Sequence, residues 1–346
     1  MARVPLKQID AKRIALLKPS ALGDIVHSLP VLRALRLRFP AAEITWVVNR
    51  SYAGLLDHQP DLTNVLIFDR HRPLRAIAFL ARELIRRRFD LVIDLQGLFR
   101  TGLMAAATLA PRRVGLASAR EISRLAYTDV VPVPPGLHAV DRYWQIAEAL
   151  GVGHLPMEFR LNIAAEQRDW AKSILAELPR PWIVLAAGSR WYTKRWPAAH
   201  FAALTNHCRR KYGGSAILIG TVDEVPLSRA VGQRLDGPTL DLTGQTSLPQ
   251  LAAILAEADA VLANDTGPMH LAAALGRPVV APYTCTQVSL HGPYGQTGAV
   301  ATRVWCAGSY RKRCGRLECM AELTPDRLWP VLDEVLQRWA SHSRSA

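Results

Sequence analysis

The sequence predicts an α/β protein built from two doubly wound domains, because short apolar runs alternate with helix-length amphipathic stretches along most of its 346 residues. Each half of the chain supplies about five strand candidates, enough for one parallel sheet. The segment 151–181 interrupts the alternation and carries proline and glycine at both ends. We therefore predict a first domain over 1–165 and a second over 166–324, with a terminal helix within 325–346 that could pack back on the first domain.

The strand candidates are runs of β-branched and other apolar residues bounded by turn residues. In chain order they cover 13–17, 44–48, 65–68, 91–94, 113–115, 182–186, 216–219, 239–242, 260–263 and 278–282. The main helix candidates cover 25–38, 74–88, 198–211, 225–235, 248–256, 269–275 and 325–340. Because the carboxyl ends of parallel strands meet at one edge of a sheet, two such domains facing each other would leave a ligand cleft between them.

The composition is that of a soluble globular protein, with 49% hydrophobic and 21% charged residues. No uninterrupted apolar run approaches the roughly 18 residues that a membrane span needs. The chain begins with a basic segment whose apolar part is too short for a secretory signal, so the sequence predicts a cytoplasmic protein. Five cysteines, an odd number in a long chain, indicate no disulfide framework.

The formal net charge of +14 favours an anionic partner. Residues 1–165 hold 23 Lys and Arg against 14 Asp and Glu, so most of the excess lies in the first half. A nucleic acid, an anionic membrane surface, an acidic substrate or a solvated surface would each account for it. The predicted helix 74–88 fits either a solvated helix or contact with lipid head groups, because its apolar stripe is flanked by arginines. The stripe comprises Leu74, Ile77, Ala78, Ala81, Leu84 and Ile85, and the arginines are Arg75, Arg82, Arg86, Arg87 and Arg88.

The first strand end carries a candidate catalytic carboxylate. The stretch KPSALGD, residues 18–24, leads from a strand into a helix that starts near Asp24. Asp24 could cap this helix by accepting its free N–H groups. A carboxylate at a cleft-facing strand end could equally act as a general base toward an incoming hydroxyl. The glycine spacing matches neither a dinucleotide fingerprint nor a P-loop. Strand 91–94 ends in a similar way, with Gln96 and then Arg100 after it.

Two strand ends in the second half carry groups that suit a phosphate and a ribose. Ser189 and Lys194 follow strand 182–186, and a lysine beside a turn of small residues can bind phosphate, although it could also be plain surface charge. Glu224 opens the helix after strand 216–219. There it could bind the two hydroxyls of a ribose, or simply interact favourably with the helix dipole.

A further strand end has the sequence NDTGPMH, residues 264–270. Thr266 and Gly267 can offer hydroxyl and backbone N–H donors to a diphosphate at the helix start. Asp265 would repel a diphosphate, so we expect it to face neutral sugar hydroxyls. His270, one turn later, could donate to a phosphate oxygen or a sugar, or could be a buried histidine behind a helix cap.

Four stretches of the chain resemble the ADP-heptose:lipopolysaccharide heptosyltransferases of glycosyltransferase family 9. They are KPSALGDIVHSLPVLRALRLRFP, DLQGLFRTG, GSRWYTKRWPAAHF, and ANDTGPMHLAAALGRPVVAPY with a later GPYG. The similarity covers most of the chain in the same order. It implies the GT-B fold, two Rossmann-like domains with the active site between them. It also implies transfer of heptose from ADP-heptose to the Kdo or first heptose of the lipopolysaccharide inner core, by an enzyme peripheral on the cytoplasmic face of the inner membrane.

The resemblance also implies roles for individual residues. By matching position, Asp24 is the catalytic base of a single displacement. The nucleotide-sugar site comprises Ser189, Lys194, Glu224, Asp265, Thr266, Gly267 and His270. The anionic lipid A-core acceptor is expected to bind Ser20, Gln96, Arg100 and Arg120.

No cofactor beyond the donor substrate and no metal is expected, because the chain contains no D-x-D motif. Cys306, Cys314 and Cys319 retain three positions of a cysteine cluster found in many family members, with Ser309 at another position. Three thiolates without a fourth make a poor structural zinc site, so a packed loop is the main expectation and metal binding the alternative. The family's Gly-Pro-Thr after strand 278–282 is replaced here by YTCTQ, which could alter the loop near the sugar.

Two other functions remain open at this point. A transferase of another nucleotide-activated sugar to a different cell-surface glycan would have the same fold, and few readable residues would distinguish it. A basic nucleic-acid-binding protein would explain the charge, but the sequence has no motif that reads RNA or DNA, and its basic residues are not interleaved with aromatic ones. We therefore expect no nucleic-acid partner.

Overall fold

The computed structural model of the chain describes residues 4–69 and 73–343. It divides into two compact units, Met1–Asn162 and Ile163–Ala346. This division lies close to the boundary expected after residue 165. The side chains of Leu74, Arg75 and Ile77, which belong to the predicted apolar stripe and its arginines, lie outside the described residues. Within the described ranges, no helix combines the length and the apolar composition that crossing a membrane requires.

The first unit contains six strands and five α-helices among its described residues. The strands are β1 (Arg13–Leu17), β2 (Glu43–Asn49), β3 (Asn64–Phe68), β4 (Leu91–Asp94), β5 (Arg112–Leu116) and β6 (Asp129–Val131). The helices are α1 (Leu22–Arg38), α2 (Arg50–Ala53), α3 (Pro73–Arg86), α4 (Phe99–Ala107) and α5 (Ala139–Ala149), with 3-10 turns at Leu6–Gln8, Gly54–Leu56 and Ser123–Ala126. All strand pairs are parallel, and the order in the sheet is β3-β2-β1-β4-β5-β6.

The second unit repeats this plan. Its strands are β7 (Trp182–Ala186), β8 (Ser215–Leu218), β9 (Thr239–Asp241), β10 (Ala260–Ala263), β11 (Val279–Tyr283) and β12 (Ala299–Ala301). Its helices are α6 (Ala165–Leu175), α7 (Ala198–Tyr212), α8 (Val225–Gly232), α9 (Leu248–Glu257), α10 (Gly267–Ala274), α11 (Val288–His291), α12 (Glu318–Glu322) and α13 (Pro325–Ser343), with 3-10 turns at Tyr192–Lys194 and Val222–Glu224. The strand order is β12-β11-β10-β7-β8-β9, again parallel throughout.

The strand order has a direct consequence for where ligands can bind. In each unit, the first strand lies next to the fourth, so the chain winds outward in one direction and then in the other. Ligands of such sheets bind beyond the carboxyl ends of the strands, at the point where the winding reverses. That point lies between β1 and β4 in the first unit and between β7 and β10 in the second. The predicted α/β class with two Rossmann-like units is confirmed.

The helices cover the sheets because the strands are apolar on both faces, as buried parallel strands must be. In the first unit, Leu80 and Leu84 of α3 and Met104 of α4 pack on Val92 of β4. In the second, α13 packs against α7 and buries Leu328, Leu332 and Leu336 in that unit's core together with residues of its strands. The packing of the terminal helix on the first domain stays a prediction.

The edge strands β6 and β12 are absent from the sequence-based prediction. Each has three residues, DVV and AVA, which is too short for a recognisable period. The first helix was predicted to start at residue 25, yet α1 begins at Leu22, so Asp24 lies in its first turn.

Candidate functional site

The end of β1 holds a buried lysine beside an exposed carboxylate. The Lys18 side chain is 2% exposed, and its Nζ donates to the Leu95 carbonyl at 3.0 Å and to the Tyr143 hydroxyl at 2.7 Å. The Tyr143 hydroxyl in turn donates to Asp24 Oδ1 at 2.9 Å, and Lys18 Nζ lies 3.7 Å from the same oxygen. The Asp24 side chain is 40% exposed. The cation is therefore inside this cluster and the anion faces solvent.

The charges in this cluster stabilise one another. Burial alone would lower the pKa of Lys18, but the charge of Asp24 and the contact with Tyr143 raise it above its usual value. Burial raises the pKa of Tyr143, and the nearby Asp24 carboxylate raises it further. Lys18 therefore stays an ammonium and Tyr143 a neutral hydroxyl, so Tyr143 donates its proton in the hydrogen bond to Asp24.

Helix capping by Asp24 and its predicted role as a general base are compatible. Asp24 lies at the third position of α1, and its Oδ2 accepts the Ala21 N–H at 3.3 Å, which is half of a capping box. The other oxygen, Oδ1, accepts from Tyr143. The carboxylate is thus fixed by the helix start while remaining accessible, as a general base must be.

The end of β4 forms a tight turn held by a second carboxylate. Asp94 is buried, and its Oδ1 accepts the Gln96 and Gly97 N–H groups at 2.9 and 3.0 Å. Its Oδ2 accepts from Tyr127 at 2.8 Å. Burial raises the pKa of Asp94, and these hydrogen bonds to its charged form oppose that rise. Asp94 therefore supports the turn rather than facing a substrate.

The predicted acceptor residues lie around this turn. Gln96 has a buried Oε1 that accepts no hydrogen bond from any described residue. The Arg120 N–H donates to the Gly97 carbonyl at 2.8 Å, which places Gln96 and the exposed Arg120 beside each other in the fold. Arg100 lies in the first turn of α4 and Ser20 precedes α1, both partly exposed. Their role in acceptor binding stays a prediction.

The end of β10 holds the opposite arrangement, a buried carboxylate beside a more exposed lysine. Asp265 is 5% exposed, and its Oδ2 accepts from Lys194 Nζ at 2.6 Å and from the Thr286 hydroxyl at 2.6 Å. His270 Nε2 lies 3.7 Å from Asp265 Oδ1. The Lys194 side chain is 16% exposed, and its Nζ lies 4.7 Å from the Trp191 ring centre.

This environment keeps Asp265 charged. Burial alone would raise the pKa of Asp265, but the hydrogen bond from His270 and the charge of Lys194 hold it far below its usual value. Because Oδ2 is engaged by two side chains and His270 lies beside Oδ1, Asp265 anchors its neighbours. The expectation that it faces neutral sugar hydroxyls stays untested.

The loop that carries Lys194 is fastened to the sheet by a buried amide. Asn264, fully buried, donates to the Ala187 carbonyl at 2.6 Å and accepts the Trp196 N–H at 3.1 Å. Ser189 is buried in the same loop, and its carbonyl accepts from Arg195 Nε at 2.6 Å. These contacts fix the loop between β7 and α7 to the end of β10.

The Glu224 carboxylate lies close to Gly188 and Gly220, which follow β7 and β8. Its Oε2 accepts the Thr221 N–H at 2.9 Å, so it caps its own turn. A Cβ placed on Gly188 would meet Glu224 Oε1 at 1.9 Å, which shows that the carboxylate rests directly on the β7 end and requires glycine there. Glu224 is therefore adjacent to the Ser189 turn, as a ribose contact would be.

Thr266 and Gly267 form the start of α10. Thr266 is the N-cap residue, and its hydroxyl donates to the Asn264 carbonyl at 3.2 Å instead of capping the helix. The amino end of α10 therefore lies beside Asp265 and Lys194. The amino end of a helix and a lysine at one place suit a diphosphate.

A fourth cysteine lies beside the three cysteines of the cysteine-rich loop. Cys306, Cys314 and Cys319 line one small cavity together with Cys285, which comes from the YTCTQ segment. Burial raises the pKa of Cys319 to about 11, while N–H groups of Leu317 and Arg316 lower that of Cys314. Among the residues that the structure describes, no three His, Cys, Asp or Glu side chains are placed to hold a metal ion.

The cysteine-lined segment also contacts Thr193, the residue before Lys194. The Thr193 hydroxyl donates to the Arg311 carbonyl at 2.6 Å and lies 3.4 Å from Cys285 Sγ. The Thr284 hydroxyl donates to the Thr193 carbonyl at 2.5 Å. The residue before Lys194 is thus held by the cysteine-lined segment.

Lys18, Tyr143, Thr286 and Asn264 are site residues that sequence reasoning missed. The stretch KPSALGD does contain Lys18, and its position directly after a strand was the available signal. Nothing in the sequence links Tyr143 to Asp24, since 119 residues separate them.

The family description "Glycosyltransferase family 9 (heptosyltransferase)" matches residues 77–320, more than half of the chain. Lipopolysaccharide heptosyltransferase 1 of Pseudomonas aeruginosa is 29% identical over 316 residues, which are 87% of each chain. The glycosyltransferase family 9 protein of Veillonella parvula superposes with a TM-score of 0.85 at 24% identity, over 97% of this chain and 99% of that one.

A second solved structure, Escherichia coli heptosyltransferase WaaC with ADP, superposes with a TM-score of 0.74 at 23% identity, over 93% and 99% of the chains. The residues of the second-unit cluster named above, including Lys194 and Asp265, fall within the matched range 77–320. The chain belongs to glycosyltransferase family 9, the heptosyltransferase family, and is a glycosyltransferase.

Proposed function

We propose that this enzyme transfers heptose from ADP-heptose to the Kdo or first heptose of the lipopolysaccharide inner core. The observation that carries the proposal is the cluster of Lys194, Asp265 and His270 beside the amino end of α10, in a chain of the heptosyltransferase family. The relative WaaC is described with ADP, which supports an ADP-linked donor here.

The second unit supplies the donor half of the site in this proposal. The Lys194 side chain is 16% exposed on a fixed loop, and the amino end of α10 lies beside it. Both would neutralise charge on a diphosphate, most strongly as the bond to the sugar breaks. Glu224, resting on Gly188, would accept hydrogen bonds from the ribose hydroxyls.

The first unit supplies the base. Asp24 takes the proton of the acceptor hydroxyl while that oxygen forms a bond to the anomeric carbon of the heptose. The bond from that carbon to the phosphate oxygen breaks at the same time, and ADP leaves with the electron pair. Positive charge at Lys194 stabilises the leaving group. This displacement requires the acceptor at Asp24 and the donor at Lys194 to meet.

Lys18 and Tyr143 act as positioning residues for Asp24. The hydrogen bond from Tyr143 fixes one carboxylate oxygen, and the buried ammonium behind it favours the charged form of Asp24. The predicted acceptor residues Gln96, Arg100 and Arg120 lie at the neighbouring strand end. Arg100 and Arg120 suit an anionic, phosphorylated lipid acceptor. We propose that the enzyme meets such an acceptor at the cytoplasmic face of the inner membrane.

The test measures ADP release from ADP-heptose with two acceptors, Kdo2-lipid A and its monoheptosylated form. We expect turnover with one of them, and the preferred acceptor identifies the position of the added heptose. Turnover with neither acceptor, while another nucleotide-activated sugar is consumed, would contradict the proposal and identify a different donor.

A further inference from the structure

The first unit exposes a group of apolar side chains that lie outside its hydrophobic core. Phe99, Leu103 and Ala106 are exposed on α4, where spacings of four and three residues place them on one helical face. Ile122 and Leu125 are exposed in the segment that leads into and forms the 3-10 turn Ser123–Ala126, with 69% and 85% of their surfaces accessible. We call these five residues the apolar patch.

The two parts of the apolar patch lie side by side. α4 packs against the 3-10 turn, and a Cβ on Gly102 would meet Ser123 Cα at 3.0 Å. The Phe99 N–H donates to Glu121 Oε2 at 3.2 Å. Single exposed apolar residues need no explanation, whereas several on two neighbouring segments are typical of an interaction surface.

The backbone at Ile122 supports a functional interpretation of the patch. Ile122 has φ +56° and Glu121 φ +54°, in the left-handed region that β-branched residues strongly avoid. The side chain that this conformation presents is exposed, so packing within the unit does not compensate the strain. Strained residues of this type concentrate at functional sites.

The segments that carry and adjoin the apolar patch are rich in exposed arginines, which we call the arginine rim. Residues 78–88, 99–107 and 119–126 contain seven arginines and two glutamates. Arg82, Arg86, Arg88, Arg120 and Arg124 are exposed in these segments. α3, which carries Arg82 and Arg86, packs against α4 and also exposes Phe79 and Ile85. Apolar side chains within a basic rim fit a bilayer with anionic head groups, where the apolar part enters the interface and the arginines bind lipid phosphates.

We propose that the apolar patch of α4 and the 3-10 turn, with its arginine rim, is the surface by which this enzyme docks on an anionic lipid bilayer. Phe99 directly precedes Arg100, and Ile122 follows Arg120 by two residues, so docking would hold the predicted acceptor residues at the membrane surface. An acceptor whose acyl chains stay in the bilayer would then reach the site without leaving it. Only this last step rests on the proposed function.

The test is co-sedimentation of the full chain with phosphatidylcholine vesicles, with and without phosphatidylglycerol. We expect binding to the anionic vesicles that weakens as salt rises. The double variant Leu103→Glu/Leu125→Glu should lower vesicle affinity at least about tenfold, because two leucines that enter the bilayer on docking are replaced by charged side chains. Arg124→Ala should weaken binding to the anionic vesicles alone. The matched control Leu37→Glu changes an exposed leucine of α1, outside the patch, and should bind like the wild type.

Wild-type binding by the double variant, or no binding by the wild type, would overturn the proposal. Self-association of the wild type that the double variant abolishes, without vesicle binding, would assign the patch to a second copy of the chain instead. Thermal unfolding of each variant confirms that it is folded. Turnover with a deacylated, water-soluble acceptor should be unchanged in the double variant and reduced with vesicle-embedded acceptor. Absence of turnover with either acceptor contradicts the proposed function, whereas vesicle binding is measured independently.

Discussion

The clusters after β1 and β10 contain the same pair of charges with opposite exposure. In the first unit, the Lys18 side chain is 2% exposed and that of Asp24 is 40% exposed, whereas in the second, that of Asp265 is 5% exposed and that of Lys194 is 16% exposed. The buried member of each pair has its charge compensated within the protein, so the exposed member determines what can bind. An accessible carboxylate suits removal of a proton, and an accessible ammonium suits a phosphate. The comparison therefore assigns different chemistry to two strand ends, each of which flanks the winding reversal of its own sheet.

The largest effect is expected from the exposed carboxylate. Asp24→Ala should lower kcat by about 100- to 10,000-fold, the usual contribution of a general base. The affinity for ADP-heptose should change little, because the donor cluster lies in the other unit. Steady-state ADP release and calorimetric titration with ADP-heptose measure the two quantities. Loss of donor affinity together with kcat would make Asp24 a structural cap.

The exposed lysine should have the next largest effect. Lys194→Ala should weaken binding of ADP-heptose by about 10- to 100-fold, since a charge-assisted hydrogen bond contributes about 1.5–3 kcal/mol. Lys312 is a matched control, because its Nζ also lies over the Trp191 ring, 5.2 Å from the ring centre, whereas Lys194 is the lysine that donates to Asp265. Equal effects of Lys194→Ala and Lys312→Ala on donor affinity would argue for general positive charge rather than a specific site.

The buried carboxylate should affect stability in a pH-dependent way. Asp265→Asn should lower the free energy of unfolding at neutral pH by about 1–3 kcal/mol, because it leaves Lys194 and Thr286 with a weaker acceptor. Since folding lowers the pKa of Asp265, its contribution is complete above the unfolded value of about 3.9 and is lost as pH falls towards the folded value.

Urea unfolding of the wild type and of Asp265→Asn, from about pH 7 down to about pH 3, measures this difference. We expect a constant gap between the two proteins until the pH approaches about 4, and a narrowing gap below it. A gap that already closes well above pH 4 would contradict the assignment of this pH dependence to the Asp265 carboxylate.

The smallest effect is expected from the hydroxyl behind Asp24. Tyr143→Phe removes one hydrogen bond to the carboxylate, which should lower kcat by about 3- to 10-fold. The acid limb of the kcat/KM profile should move to higher pH, because that bond favours the charged form. Tyr127→Phe is the control, since Tyr127 makes the equivalent bond to Asp94 at 2.8 Å. It should leave the pH profile in place, and an identical shift would show that the effect is not specific to Asp24.

Much of the fold was predictable because parallel strands are apolar on both faces and end at turn residues. The strands β1, β4, β7 and β10, which flank the two winding reversals, coincide with their predicted bounds. These four strands are central in their sheets and carry the strongest apolar runs. The edge strands β6 and β12 escaped prediction because three residues carry no period.

The candidate site was predictable where charged residues lie in the loop or first helical turn after a strand. Asp24, Lys194 and Asp265 occupy such positions, whereas Lys18 and Asn264, which directly follow β1 and β10, were missed. Tyr143 belongs to α5, which follows the edge strand β6 in the chain and packs against α1. Its hydrogen bond to Asp24 joins residues remote in sequence. Cys285 was similarly separated from the other cysteines lining its cavity. Exposure, which distinguishes Asp24 from Asp265, is a property of packing that a one-dimensional pattern does not contain.

The buried amide of Asn264 has a consequence for how the donor would bind. Its carbonyl oxygen and its amino group fasten two backbone segments at once, so the lysine loop is rigid before any ligand arrives. A preorganised loop loses little conformational entropy when it binds, and more of the interaction energy then appears as affinity. A carboxylate in the same shape could accept from Trp196 but could not donate to Ala187. In the proposed function, the loop between β7 and α7 would therefore bind the nucleotide without a large rearrangement.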